Sequence, residues 1–207
     1  MLRIDHVVYA VADLDATAAR LRDRGLATVA GGVHPRWGTA NRIASLGNSR
    51  YVELLGVIDP DVASRSGVGR AVSARARDGD RWFTLCLADD DLDATAVRLG
   101  LTVEPGGRAL PDGTTVAWRS AGIDDPARTA GLPFFIEWDV RPGGHPGDAP
   151  PSHPSGADDI AWIEIAGDPA RFASWVGGAE LPVRVAPGDA GVVSVALHTP
   201  GDELVLC

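Results

Sequence analysis

Apolar and polar positions along the chain form a pattern of short strands and amphipathic helices that repeats. Residues 12–21 (ADLDATAARL) recur as residues 90–99 (DDLDATAVRL), with eight of ten positions identical at an offset of 78. In each copy an aspartate precedes an alanine- and leucine-rich stretch whose apolar residues have helical spacing, which predicts an N-capped helix. A strand-like apolar run precedes each helix and three shorter ones follow it. Each copy therefore predicts a β-α-β-β-β unit.

The first unit is expected over residues 1–60 and the second over 81–140, within a paired block of residues 1–147. A third and weaker copy is predicted over residues 158–207. It begins with the apolar run from Ile160, and Asp168 followed by Pro169 has the order of an N-cap and a first helical residue. The predicted fold class is α+β, built from tandem βαβββ modules with the third module at the C-terminus.

Two segments join the units. Residues 141–157 (RPGGHPGDAPPSHPSGA) contain nine proline or glycine residues among seventeen, which is typical of a surface linker or of a lid over a site. His145 and His153 within it are interpreted as solvated. Residues 64–80 join the first two units and include GVGRAVSARARD, which is compatible with a short exposed helix.

Composition narrows the range of partners. The chain has 207 residues, 45% of them hydrophobic, and a formal net charge of −9. All 19 basic residues are arginines, and they form no basic run, so a nucleic acid partner is not expected. Neither a long apolar window nor a signal peptide pattern occurs, so the sequence predicts a cytoplasmic protein with no membrane partner. Cys86 and Cys207 have no metal-binding spacing.

The repeated βαβββ unit, opening with Ile4 to Val11 (IDHVVYAV), resembles the vicinal oxygen chelate superfamily. The segments HPRWGTAN (34–41), YVEL (51–54) and PFFIEW (133–138) are similar to its glyoxalase-like domain proteins. The resemblance covers about residues 1 to 147. It implies two modules whose curved mixed sheets surround a cleft, with metal ligands on the first and last strands of each module.

Carried onto this sequence, the resemblance implies His6, Glu53 and Glu137 as ligands of a divalent ion such as Zn, Ni, Mn or Fe. A histidine and two carboxylates suit an ion that keeps open positions for a substrate with neighbouring oxygens. Thr84 stands where the second module would place another histidine, and it is a poor ligand for zinc or nickel. We assign it to substrate binding. His6 also has an alternative interpretation as a half-buried histidine bonded to the backbone, and the two glutamates as solvent-facing residues.

The segment from His34 to Arg42 carries unusual chemistry for a turn between two strands. It offers a histidine, arginines, a tryptophan and an asparagine, whereas ordinary hairpin turns favour glycine, asparagine, aspartate and proline. His34 is a candidate general base, and Glu137 is given a catalytic role besides its metal role. Trp37, Asn41 and Arg42 are candidate substrate contacts. The alternative is a turn whose polar groups are only solvated.

These observations favour an enzyme that acts on a small oxygen-rich metabolite by metal-assisted lyase or isomerase chemistry. Two alternatives remain. A metal-free protein that binds a drug or metabolite in the same cleft is favoured by Thr84. A scaffold whose units pair between chains, as a homodimer, is the third possibility.

Overall fold

The computed structural model describes residues 1–109, 115–125 and 131–207, and it contains the three expected units. In the first unit the elements are β1 Arg3–Val11, α1 Leu14–Asp23, β2 Val29–His34, β3 Thr39–Gly47 and β4 Arg50–Val57. Two helices follow, α2 Pro60–Arg65 and α3 Gly67–Ala76. The second unit consists of β5 Arg81–Ala88, α4 Leu92–Leu99, β6 Val103–Ala109, β7 Thr115–Ala121 and β8 Phe134–Asp139. The third consists of β9 Asp159–Ala166, α5 Pro169–Trp175, β10 Val183–Ala186, β11 Gly191–His198 and β12 Glu203–Leu206.

Each unit's helix begins at the aspartate that the sequence indicates. The side chains of Asp13, Asp91 and Asp168 accept hydrogen bonds from backbone N–H groups in the first turns of α1, α4 and α5. These bonds satisfy amides that have no partner inside the helix. None of the helices in the described ranges is long and apolar enough to cross a membrane.

The first two units form one curled sheet of eight strands. Its order is β1-β4-β3-β2-β6-β7-β8-β5, in which β1 pairs with β4 and β5 with β8 in parallel. The units join through antiparallel pairing of β1 with β5. The ring closes between β2 and β6 through the pair Val33 and Ala109. The predicted α+β fold with curved mixed sheets is confirmed, and the two modules pair within one chain.

Helix α3 differs from the exposed helix expected over residues 64–80. Val68, Val72 and Ala76 are buried in the hydrophobic cluster that fills part of the barrel interior, together with Val8 and Phe83. The helix is amphipathic, and its apolar side packs against β1, β4 and β5. One side of the helix therefore packs against the barrel, while Arg70, Ser73 and Ala74 on the other side are exposed.

The third unit has the predicted element order but a different strand pairing. Its sheet has the order β10-β9-β11-β12, so its first strand is internal, whereas β1 and β5 pair with the last strands of their units. Ile163, Ile165 and Val195 share one hydrophobic cluster with Leu85 and Leu87 of the barrel. The third sheet thus covers the outer face of the barrel near β5.

Residues 141–157 pack against the barrel as a strap. His153 Nδ1 accepts a hydrogen bond from the Ala27 amide, and its Nε2 lies 2.7 Å from the Ser45 carbonyl oxygen. His145 is 8% exposed and caps a short 3-10 helix, Pro146–Asp148. The interpretation of His145 as solvated is wrong, because its ring is buried against the end of β1, where it bonds to Asp5.

Because the barrel and the third sheet share one hydrophobic cluster, we expect them to unfold together. Ile163→Ala removes a fully buried side chain and should lower the free energy of unfolding by about 2–5 kcal/mol. Chemical denaturation followed by circular dichroism should show one transition, moved to lower denaturant concentration. Val193→Ala, on an exposed position of β11, is the matched control and should change the free energy of unfolding by less than about 0.5 kcal/mol. Two transitions, with only one of them moved by Ile163→Ala, would contradict the shared core.

Candidate functional site

A cavity inside the barrel brings together most of the polar residues singled out in the first unit. Its inner chamber holds about 30 Å³ and its outer chamber about 270 Å³. His34, Trp37, Trp118 and Ile123 line both chambers. The inner chamber is also lined by His6, Val8, Asn41, Tyr51, Glu53, Leu55, Phe83, Arg108, Phe134, Ile136 and Trp138. The outer chamber opens between the turn after β2 and the strands β6 and β7.

Asp5 is a buried carboxylate next to this site that makes three hydrogen bonds. Its carboxylate accepts hydrogen bonds from His6 Nδ1 at 2.5 Å, Trp138 Nε1 at 2.8 Å and His145 Nε2 at 3.1 Å. The side chain is 1% exposed. Burial raises its pKa, but the bonds from His145 and His6 outweigh this, and the pKa falls from 3.8 to about 2. Asp5 is therefore ionised at neutral pH.

A β-bulge gives Asp5 this position. Ile4 pairs with Leu87 and His6 with Cys86, so Asp5 is an extra residue without a partner on β5. In a bulge, strict alternation of side chains between the two faces is interrupted, and a side chain can be re-aimed. Asp5 can therefore turn toward the His6 ring next to it in the chain. Asp5 was not predicted as a site residue, although it is a charged residue inside the apolar run IDHVVYAV.

His6 is held in one orientation. Its ring stacks on Tyr51 with centroids 4.4 Å apart, and Phe134 contacts it edge-on. Because Nδ1 donates to Asp5, Nε2 is directed toward Glu53, whose Oε2 is 3.5 Å away. His6 and Glu53 lie together on the wall of the cavity, and their role as metal ligands stays a prediction.

From Glu53 the polar contacts continue across the barrel. Glu53 Oε1 accepts a hydrogen bond from Asn41 Nδ2. Asn41 Oδ1 in turn accepts from the Gly32 amide at 2.8 Å and from Arg108 Nη1 at 3.0 Å. These donors fix the orientation of the amide. The absence of a side chain at Gly31 leaves space for these contacts. A Cβ atom at this position would overlap both Asn41 Oδ1 and Arg108 Nη1.

His34 is buried between aromatic rings. It contacts Trp37 and Trp118, and its Nδ1 lies 3.2 Å from Thr39 Oγ1. Burial lowers its pKa from 6.5 to about 4, the nearby Glu53 charge opposing this shift only in part. His34 is therefore neutral at pH 7. Trp37 lines both chambers, and its proposed contact with substrate stays a prediction.

Glu137 and Arg42 do not join the site. Glu137 accepts hydrogen bonds from Arg119 on the outer face of the barrel, because alternation along β8 turns Ile136 and Trp138 inward instead. This corrects its predicted metal and catalytic roles. Arg42 likewise points out of the barrel and donates to Thr28 and Asp15, while its neighbour Asn41 points in.

Thr84 is buried on β5 opposite Val8. Its hydroxyl lies 3.4 Å from the Leu85 carbonyl oxygen. The bulge that places Phe83 between the paired residues Trp82 and Thr84 brings the Phe83 ring to the cavity wall. Substrate binding by Thr84 stays a prediction.

Buried groups that could bind a divalent ion are present. Ligand atoms of Asp5, His6 and Cys86 all lie within 4.8 Å of one another. Both oxygens of Asp5 already accept hydrogen bonds, however, and burial raises the pKa of the Cys86 thiol well above 9.0. Metal ligation needs the thiolate. His6 Nε2 and Glu53 Oε2 are therefore the better-placed pair of donors.

The family model described as a glyoxalase-like domain matches residues 4–180. This chain belongs to the glyoxalase-like domain family of the vicinal oxygen chelate superfamily. The match extends beyond residue 147, where the resemblance was expected to end, and includes the strap and the first strand and helix of the third unit. No curated protein shows a significant match.

The chain is similar to several solved structures. A hypothetical protein from Staphylococcus aureus is 17% identical with a TM-score of 0.68, over 99% of this chain and 84% of that one. A Mn(II)-bound glyoxalase from Novosphingobium aromaticivorans is 16% identical with a TM-score of 0.49, over 93% of this chain and 64% of that one. A methylmalonyl-CoA epimerase from Mycobacterium tuberculosis is 19% identical with a TM-score of 0.45, over 65% and 87%. Of these three, the Staphylococcus aureus protein shares the fold of this chain.

Burial of neutral His34 makes stability depend on pH. In the unfolded chain His34 takes up a proton near pH 6.5, but in the folded chain only near pH 4. The free energy of unfolding therefore falls as the pH is lowered from 6.5 to 4. The loss amounts to about 3 kcal/mol. Denaturant midpoints measured from pH 7 to pH 4 should fall less steeply in His34→Gln than in the unsubstituted protein. Equal slopes in the two proteins would show that His34 is not the group responsible.

Proposed function

We propose that this glyoxalase-like protein is an enzyme of the lyase or isomerase type that moves a proton on a small oxygen-rich molecule held in the barrel. The observation that carries the proposal is the buried line Asp5, His6 and Glu53, which reaches the wall of the inner chamber. A histidine oriented by a buried carboxylate is a common arrangement for a general base.

In this mechanism Asp5 is a positioning residue. Its bond to Nδ1 holds the His6 proton on that nitrogen and leaves the Nε2 lone pair for a proton of the bound molecule. Glu53 Oε2, 3.5 Å from Nε2, lies close enough to receive or return the same proton. His6 and Glu53 are the proposed catalytic residues.

The remaining walls of the chamber favour this chemistry. Phe83, Phe134, Ile136 and the two tryptophans Trp118 and Trp138 provide mainly apolar surroundings. Water is restricted in such a space, and electrostatic interactions there are stronger than in solvent. Neutral His34 adds a polar group without adding a cation at pH 7.

A divalent ion fits this site in part. His6 Nε2 and Glu53 Oε2 are spaced so that both could bind one ion, and the bond from His6 Nδ1 to a carboxylate is typical of metal-binding histidines. The predicted third ligand, Glu137, lies elsewhere, so water and the bound molecule would supply the other positions. When bound, the ion would polarise an oxygen of that molecule, and His6 Nε2 and Glu53 Oε2 would then serve as its ligands and no longer as the groups that take up the proton. Zn, Ni, Mn and Fe all accept such donors.

A metal-free binding protein is the second candidate. Thr84 and Ile136 bring no strong metal ligand from the second module, and Glu53 already accepts from Asn41. In that case the chamber would hold its ligand without changing it.

Proton exchange distinguishes the two candidates. The protein is added in D2O to a set of 2-oxo and 2-hydroxy carbonyl compounds, and deuterium at the carbon next to the carbonyl is followed by proton NMR. We expect faster exchange for at least one compound, lowered by about 10²–10⁴-fold in His6→Gln because the base is removed. Tryptophan fluorescence should show that the variant still binds the compound.

Glu137→Gln is the matched control for this experiment, since it changes a carboxylate on the outer face, and it should leave exchange unchanged. A compound that binds, but exchanges no faster than in buffer, would favour the binding protein.

Metal binding is tested separately by titrating chelator-treated protein with Mn(II) and following the free ion by electron paramagnetic resonance. If His6 and Glu53 bind the ion, Glu53→Gln should raise the dissociation constant by about tenfold or more, and Glu137→Gln should not. Equal affinities for Mn(II) in the unsubstituted protein, Glu53→Gln and Glu137→Gln would contradict metal binding at this site.

A further inference from the structure

We propose that Arg108 is a recognition site for a carboxylate group, so that the molecule bound in the barrel is a small carboxylic acid. This inference rests on the proposed use of the inner chamber by a small molecule. It adds the chemical class of that molecule, which neither the family nor the fold assigns.

Among the residues that the structure describes, Arg108 is a buried cation that has no ion-pair partner. It is 6% exposed and lines the inner chamber. Within the described ranges it forms no ion pair, and its Nε has no hydrogen-bond partner. Its Nη1 bonds to Asn41, a neutral amide. A buried guanidinium normally requires a paired anion, because removing its charge from water is costly.

The acidic groups nearby are already engaged. Glu53 is directed to His6 and Asn41, and Asp5 accepts three hydrogen bonds. The Nε atom itself has almost no accessible surface, so an anion in the chamber would meet the part of the guanidinium that lines it. A guanidinium binds planar anions such as carboxylates, and its uncompensated charge favours an anion supplied by the ligand.

The dimensions of the cavity agree with this assignment. The inner chamber, about 30 Å³, has room for one small polar group, and the outer chamber of about 270 Å³ has room for the rest of a small molecule. Trp37 and Trp118 line both chambers, which favours a flat or apolar body behind the carboxylate.

Paired probes of the same shape test the charge requirement. Thermal unfolding is measured with benzoate and acetate, and with the neutral amides benzamide and acetamide. We expect at least one carboxylate to raise Tm in proportion to the logarithm of its concentration. At the same concentration, the corresponding amide should raise Tm by at most about a tenth as much. Equal stabilisation by acid and amide, or stabilisation by neither carboxylate, would overturn the proposal.

Variants then assign the effect to Arg108. Arg108→Met should abolish the carboxylate-dependent shift, and Arg108→Lys, which keeps the charge but not the fork, should weaken it at least tenfold. Arg119→Met, which changes an arginine on the outer face of β7, is the matched control and should keep the full shift. An unchanged carboxylate response in Arg108→Met would overturn the proposal.

The stability of the ligand-free variants provides a second measurement. If Arg108 serves a ligand and not the fold, Arg108→Met should not lower Tm, because a buried unpaired charge is replaced by an apolar side chain of similar length. A fall in Tm of more than about 4 °C would assign it a structural role instead. If carboxylates bind but no compound exchanges its proton faster, the proposed enzyme is overturned and the carboxylate site is kept. If a neutral compound exchanges its proton and Arg108→Met does not change the rate, the carboxylate site is overturned and the proposed enzyme is kept.

Discussion

The buried carboxylate of Asp5 is the constraint on which the rest of the site depends. Its three N–H donors come from β1, from β8 and from the strap, so one ionised group links three separate parts of the chain. A buried carboxylate is tolerated only when such bonds replace water. Those bonds also determine function, because the bond to His6 decides which ring nitrogen reaches the cavity. The strap is therefore part of the site, since His145 completes the shell around Asp5.

The fold was predictable from the sequence to a larger extent than the site. The repeated helix motif, its capping aspartates and the strand runs placed every module, because helical spacing and capping are local properties. His6 and Glu53 were proposed for one site by resemblance, and Asn41 by the unusual composition of the turn that contains it. Asp5 was missed because a bulge interrupts alternation, and Glu137 was misassigned because the register of β8 turns its neighbours inward. Both depend on pairing between distant strands, which a single strand's sequence does not specify.

The two modules of the barrel have similar topology but contribute differently to the cavity. The first supplies His6, His34, Asn41 and Glu53, whereas β5 and β8 of the second supply Phe83, Phe134, Ile136 and Trp138. Apart from Arg108, the charged and strongly polar lining residues thus come from the first module, which also supplies apolar Val8 and Leu55. Such asymmetry would orient a ligand that has an oxygen-bearing end and an apolar body. Arg108 is the exception from the second module, and it reaches the polar wall by its bond to Asn41.

Helix α3 and the third sheet explain how so much polarity is tolerated inside a small barrel. Val68 and Val72 of α3 pack into the interior, and Ile163 and Val195 cover the outer face near β5. The strand β1 is therefore packed on both faces, and the bulge at Asp5 is held by neighbours on each side. Two bulges on this strand pair would weaken an isolated sheet, because each interrupts the ladder of hydrogen bonds. Helix α3 and the third sheet thus stabilise the irregular strand from which the chemistry of the site arises.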